Sequence, residues 1–148
     1  MELKVKKLHP EALLPRYGSE YAGCFDLHAL LPETGGARLL PGDSLVVRTG
    51  LAFEIPASWS MDVFSRSGHG FKNGVRLANC VGIIDADYRG EVMVKLVNEG
   101  KAPLDILHGD RIAQAKLVPA PLVHFVEVEE LGETARGEGG FGSTGVSA

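Results

Sequence analysis

The chain has 148 residues, 45% of them hydrophobic and 23% charged, with a formal net charge of -4, the balance of one folded domain rather than of a disordered or two-domain chain. That acidic balance argues against a nucleic-acid-binding surface, which needs clustered Lys and Arg. The longest stretches free of charged residues, such as Leu117 to Val126, are ten residues, too short to span a membrane, and MELKVKKLHP lacks the apolar core of a signal peptide, so the expectation is a soluble, cytoplasmic protein with no membrane partner.

Short β-rich runs follow one another along the chain. Leu3 to Lys7 alternates apolar and basic residues, and Ser44 to Arg48, Leu51 to Ile55 and Met61 to Phe64 are brief runs punctuated by Pro41-Gly42, Gly50 and Pro56. Val75 to Leu77 and Val81 to Ile84 flank Ala78, Asn79 and Cys80 in the manner of a hairpin, and an Asp-Ala-Asp-Tyr-Arg-Gly turn leads into Val92 to Val97. Arg111 to Val118 and Leu122 to Val128 continue the series. No long window repeats apolar residues at helical spacing. The 19 glycines and 8 prolines fit turn-rich β-structure, because Gly supplies positive φ and Pro interrupts ladders. An all-β sandwich or barrel is expected, with one short helix after Ser65, whose hydroxyl would cap free amides at Arg66 to Gly68. Residues 1–131 read as the β domain and 132–148 as a flexible Gly-rich tail.

Cys24 and Cys80 have no CxxC spacing, so neither a zinc site nor a disulfide scaffold is indicated and two buried thiols are expected. His9, His28, His69, His108 and His124 are scattered, without the spacing of a metal-binding helix.

Five segments carry chemistry. In GSEYAGCFDLHAL, Gly18 to Leu30, Asp26 lies between Phe25 and Leu27 in an apolar setting, where an Asp can simply cap a strand end. Ser65-Arg66-Ser67-Gly68 combines a bidentate cation with the positive end of a helix, a natural seat for phosphate oxygens. Asp85 follows Ile83 and Ile84 directly, so its carboxylate leaves an apolar strand half shielded and can take a proton; equally, Asp85 and Asp87 can serve only as turn residues. In GDRIAQ, Gln114 offers an amide to a water or a phosphate oxygen, while Asp110 and Arg111 read as a structural pair at a turn. The tail RGEGGFGSTG formally matches a dinucleotide fingerprint, but too few residues remain for the helix that fingerprint needs, and no Lys makes it a P-loop. It reads either as a disordered end or as a ribbon whose amides and hydroxyls wrap phosphates, with Arg136 as cation and Phe141 as aromatic. No Ser-His-Asp set is apparent.

Taken together, and in this order across nearly the whole chain, the five segments resemble the five motifs of the trimeric dUTPases, the third being LANCVGIIDADYRG with the later Asn98. The resemblance implies a jelly-roll-like β-fold and a homotrimer, each site drawing motifs one, two and four from one subunit, motif three from a second and motif five from the third. It implies Mg²⁺, bridging the triphosphate and held through water by Asp26; magnesium keeps several waters and needs few protein ligands. Arg66, Ser67 and Gly68 would meet phosphate oxygens, Asn79 and hairpin backbone the uracil edge, and Tyr88 the deoxyribose. Asp85 would activate water and touch the sugar 3'-hydroxyl, and Gln114 would orient that water or a phosphate oxygen. From the tail, Phe141 would stack on the base, Arg136 would meet the γ-phosphate, and Ser143, Thr144 and amides such as that of Gly142 would surround the phosphates. The implied reaction is hydrolysis of dUTP to dUMP and pyrophosphate, which keeps uracil out of DNA and supplies dUMP for thymidylate synthesis. Thymine would be refused for its 5-methyl group, cytosine for its reversed donor and acceptor, and ribose by contact with the tyrosine.

Two positions depart from the family pattern. Gly23-Cys24 stands where Ala-Gly is usual, so a side chain would crowd the backbone there, and Ser65 replaces a proline, which would loosen the turn slightly. The related dCTP deaminases share the fold and the Arg-Ser segment, and a non-catalytic nucleotide-binding or partner-binding module on the same scaffold is the other alternative. The tail and the Asp85 to Tyr88 turn resemble the plain dUTPases better.

Overall fold

The structure is a computed structural model that describes residues 1–33, 35–143 and 145. In chain order the strands are Lys4–Lys7 (β1), Arg16–Tyr17 (β2), Phe25–His28 (β3), Gly36–Leu39 (β4), Ser44–Arg48 (β5), Leu51–Glu54 (β6) and Trp59–Phe64 (β7). The helix Ser67–Asn73 (α1) follows, then Val75–Leu77 (β8), Val81–Ile84 (β9), Met93–Asn98 (β10), Leu104–Leu107 (β11) and Arg111–Pro119 (β12). The longest strand, β12, with nine residues, runs through the middle of an antiparallel sheet ordered β2-β3-β12-β7-β9, while β5-β10-β8, β1-β6 and β11-β4 form smaller sheets.

Alternation explains which faces meet. Along β10, Val94, Leu96 and Asn98 are buried while Met93 and Lys95 are exposed, the period of a strand with one face on a core. Leu27 of β3, Met61 of β7 and Ala115 of β12 join Val47, Leu77 and Leu96 of the β5-β10-β8 sheet in one buried cluster. Asn98 is fully buried and satisfied: its Nδ2 donates to the Leu39 and Ala102 carbonyls and its Oδ1 accepts from Gly100 N–H. This motif residue is a strut between strands rather than a ligand contact. The fold is the expected all-β, jelly-roll-like class with one short helix.

Several local expectations need correction. Leu122 to Val128 forms no ladder among the described residues, although its composition suits a strand; Leu122 and Phe125 are 99% and 87% exposed, so within one chain nothing rewards its pairing. Strands β2, β4 and β11 escaped notice because two to four residues are too few for a period to be read. Ser65 does not cap the helix. The N-cap is Arg66, with no side-chain capping bond, and Ser65 Oγ instead accepts from Leu77 N–H at 2.9 Å, so this serine ties the turn to β8 where loosening was expected. Neither thiol is fully buried: Cys24 is half-buried, and Cys80 is exposed because it sits in the turn between β8 and β9 with φ 63°.

Helix α1 ends at Gly74, whose φ of 67° is left-handed and suits glycine. A Cβ there would lie 2.7 Å from Gly100 Cα, so two glycines let the helix end close against the end of β10.

Candidate active site

Two places in one chain gather the motif residues. The first is the end of the large sheet where β3, β12 and the loop leaving β7 converge. Asp26 lies opposite Gln114, and His28 opposite Arg111, so these four side chains rise from one face. Phe25 and Leu27 point the other way, into the core. Asp26 is therefore not in the apolar setting its neighbours suggest. Its Oδ1 accepts from Arg66 Nε at 2.8 Å and its Oδ2 from Arg111 at 3.2 Å.

Arg111 thus pairs with Asp26 and not with Asp110. Consecutive residues of a chain entering a strand project to opposite sides, and Asp110 instead accepts from Leu107 N–H at 2.8 Å to brace its own turn. The Arg111 carbonyl accepts from Arg66 at 3.3 Å and from His69 Nε2 at 2.9 Å. That donation fixes the His69 tautomer, and its Nδ1 is buried without a partner among the described residues. Burial pushes the His28 imidazole below its ordinary 6.5, with Asp26 pulling back and the surrounding arginines adding to the lowering.

Beside this ion-pair cluster is a hollow of ≈ 400 Å³ lined by Ser65, Arg66, Ser67, Gly70, Phe71 and Gln114. Gln114 Nε2 donates to the Ser65 carbonyl at 2.9 Å, which leaves its second N–H and its Oε1 for another partner. The Arg66 carbonyl accepts from His69 and Gly70, so the amides of Ser67 and Gly68 belong to the first turn, where helical donors lack intrahelical acceptors.

The second place is the turn between β8 and β9 and the turn after β9. The two strands do not form the expected hairpin: β8 pairs with β10 and β9 with β7, so the Leu77–Cys80 turn is a corner where the chain passes from one sheet to another. Asn79 is exposed in that turn and borders a hollow of ≈ 340 Å³ with Ala78, Gly82, Ile83, Ile84 and Met93. Its Nδ2 would stand 3.4 Å from a Cβ at Gly82, an ordinary contact. Asp85 and Tyr88 line an adjoining hollow of ≈ 230 Å³ with Glu91 and Val92. Tyr88 N–H closes the turn on the Asp85 carbonyl, and Tyr88 Oη donates to the Glu91 carbonyl at 3.0 Å. The Asp85 side chain is exposed, not half shielded as expected, because β9 is the edge strand of its sheet. Sequence reasoning missed Gly90: a Cβ there would lie 2.4 Å from Tyr88 Oη, so this position lets the ring fold back over the backbone.

The tail turns on itself. Arg136 Nε donates to the Gly139 carbonyl at 2.7 Å, and successive turns close at Gly139, Ser143 and Gly145. Phe141 is fully exposed. Thr144 lies outside the described residues. A larger hollow of ≈ 870 Å³ is apolar, lined by residues such as Leu3, Val5, Tyr17, Phe25 and Trp59, and holds none of these groups.

The donor set limits what metal the first place suits. Among the described residues no three His, Cys, Asp or Glu side chains gather to hold a metal ion, and Asp26 is already engaged by two guanidinium groups. A metal held tightly by protein ligands does not fit. A magnesium ion that keeps its waters and arrives on a polyphosphate fits, with Asp26 as an outer contact.

An arginine, a helix start and an amide around one hollow, and two adjoining recesses that carry Asn79 and then Asp85 with Tyr88, gather the motif residues at two places on an all-β protein. Residues 11–145 match the dUTPase family model. The chain is 45% identical over 145 residues, 98% of it and 99% of the relative, to a deoxyuridine 5'-triphosphate nucleotidohydrolase of Nautilia profundicola. It is 46% identical over 147 residues, 99% of it and 90% of the relative, to that of Helicobacter hepaticus. A dUTPase variant of Staphylococcus bacteriophage 80alpha, solved with dUpNHpp, superposes with a TM-score of 0.87 at 26% identity, covering 98% of this chain and 99% of that one. The chain belongs to the dUTPase family.

Proposed function

We propose that this chain is a dUTP diphosphatase that hydrolyses dUTP to dUMP and pyrophosphate by in-line attack of water on the α-phosphorus. The observation that carries the reading is the hollow where Arg66, Ser67 and Gln114 surround space for phosphate oxygens, beside the ion-pair cluster on Asp26.

Asp85 takes the proton from the attacking water. It is exposed at a turn and free to face a ligand. Arg66 offsets charge on the departing pyrophosphate, and the amides of Ser67 and Gly68 add donors. Gln114, whose backbone position is fixed on β12 and whose amide braces Ser65, orients the water or a phosphate oxygen. When bound, magnesium supplies charge neutralisation on the triphosphate oxygens, its waters held by Asp26.

Asn79 and the backbone of the turn between β8 and β9 read the uracil edge, and Tyr88 packs on the deoxyribose. A site that hydrogen-bonds its substrate refuses analogues with reversed donors and acceptors by a factor on the order of 10⁴. The tail from residue 132 closes over the ligand, with Arg136 at the γ-phosphate, Phe141 on the base, and Gly142, Ser143 and Thr144 around the phosphates. Ordering it costs roughly 1–2 kcal/mol of backbone entropy per residue, which the triphosphate contacts offset.

The working unit is a homotrimer. Within one chain the Arg66 hollow and the Asp85 hollow share no lining residue, which suits a site assembled from different subunits. Leu122, Val123, Phe125 and Val126 expose 66% or more of their surface, a load that monomers rarely carry in one stretch and a neighbouring copy would cover. Residues 1–131 then form the β domain and 132–148 the closing tail.

Pyrophosphate release from dUTP with magnesium, measured beside UTP, dCTP and dTTP at equal concentration, tests the proposal. Release from dUTP alone supports it; ammonia and dUMP from dCTP would move the protein to the deaminase branch, and binding without turnover would leave only a nucleotide-binding module.

A further inference from the structure

One side chain outside the residues already discussed bonds to the turn between β8 and β9 that carries Asn79. Arg76 on β8 lies opposite Val97 on β10, so Glu99, two residues on, is its diagonal neighbour on the same face. Arg76 Nε donates to Glu99 Oε2 at 2.9 Å and Arg76 Nη2 to Glu99 Oε1 at 2.5 Å, the fork-on-fork geometry that only arginine offers a carboxylate. The third nitrogen turns the other way. Nη1 donates to the Leu77 carbonyl at 2.9 Å and reaches the Ala78 carbonyl at 3.4 Å and Cys80 Sγ at 4.0 Å.

These acceptors are the turn that carries Asn79. The turn itself is tight: Cys80 N–H closes on the Leu77 carbonyl and Val81 N–H on the Asn79 carbonyl, with Cys80 at φ 63°, a region that residues other than glycine seldom adopt. The far end of the brace is equally fixed, because Glu99 N–H donates to the Gly74 carbonyl at 2.9 Å and the neighbouring Asn98 is fully buried. One guanidinium therefore spans from the end of β10 to the turn between β8 and β9.

We infer that Arg76, anchored by Glu99, is a positioning residue for nucleobase selection, holding the Leu77–Cys80 turn in the shape from which Asn79 and the turn backbone read a uracil edge. The inference rests on the reading of that turn as the base site. The pair itself is exposed, with side-chain accessibilities of 38% and 55%, and exposed ion pairs add little to global stability. Its effect lies in preorganisation, which lowers the ordering cost of binding without touching the reacting atoms. The bidentate bond also holds Glu99 below its ordinary carboxylate value and raises Arg76 further, so the brace persists across neutral pH.

The test is steady-state kinetics of Arg76→Met, Glu99→Gln and Asn79→Ala with dUTP and dTTP, beside melting temperatures and oligomer size. Arg76→Met and Glu99→Gln should raise KM for dUTP about tenfold and lower dUTP-over-dTTP selectivity to match, with kcat within about twofold, the pattern of lost ground-state binding. Melting temperature should stay near that of the parent. Glu99→Gln keeps Arg76 and its carbonyl contacts, so it carries the test if Arg76→Met fails to fold. Parental KM and selectivity in a folded Glu99→Gln, or a fall in kcat as large as that in kcat/KM, overturn the inference. An Asn79→Ala variant with parental selectivity overturns the reading of that turn as the base site and this inference together; altered selectivity there with none in the Arg76 and Glu99 variants overturns this inference alone.

Discussion

Asp26 on β3 and Arg66 at the head of α1 are joined by a 2.8 Å ion pair whose side chains are only 10% and 23% accessible. Forty residues separate them in sequence, and Arg111 occupies the other carboxylate oxygen. Two guanidinium groups are thereby held close together by a single carboxylate, beside the hollow that Arg66 lines, an arrangement that would repel itself without that charge.

Asp26→Asn preserves shape and removes the charge. With Arg66 largely shielded from water and Arg111 half exposed, the loss should destabilise the fold by about 1–3 kcal/mol, seen as a lower urea midpoint at unchanged slope. An unaltered midpoint would mean that solvent already screens the cluster.

Asp85 bears no structural load, since its turn is closed by main chain. Asp85→Asn should fold, assemble and bind nucleotide nearly as the parent does, while kcat falls about 10²–10⁴-fold, the range of a lost general base. Full activity in that variant would take the base away from Asp85.

Removing everything after Gly132 deletes turns whose hydrogen bonds are all local in sequence. The truncated chain should keep its oligomeric state by light scattering and lose on the order of 10²-fold in kcat/KM, the scale of misplaced substrate. An unaffected rate would show that the tail contributes no closure.

Gly90→Ala places a methyl group where Tyr88 Oη now sits. The ring must swing away, so discrimination of dUTP against UTP should fall about tenfold while thermal stability changes little. Comparing the two kcat/KM values in parent and variant decides it.

The amino-acid sequence determined strands such as β5, β8 and β9, because a short apolar, β-branched run bounded by Gly, Asn, Asp or Pro is a local property of the chain. It also determined the order of the chemistry-bearing motifs. Which of those residues share a hollow was decided only by tertiary structure. The partners of Asp26 lie 40 and 85 positions away, and no local pattern encodes that pairing. Adjacent Asp110 and Arg111 look like partners until the strand sends them to opposite sides. Ser65 looks like a helix cap until β8 brings Leu77 N–H to its hydroxyl. Leu122 to Val128 reads as a strand, yet a ladder needs a second edge, and in the described chain none lies beside it. Local periodicity fixes how a segment folds; the register between distant strands fixes what its side chains meet.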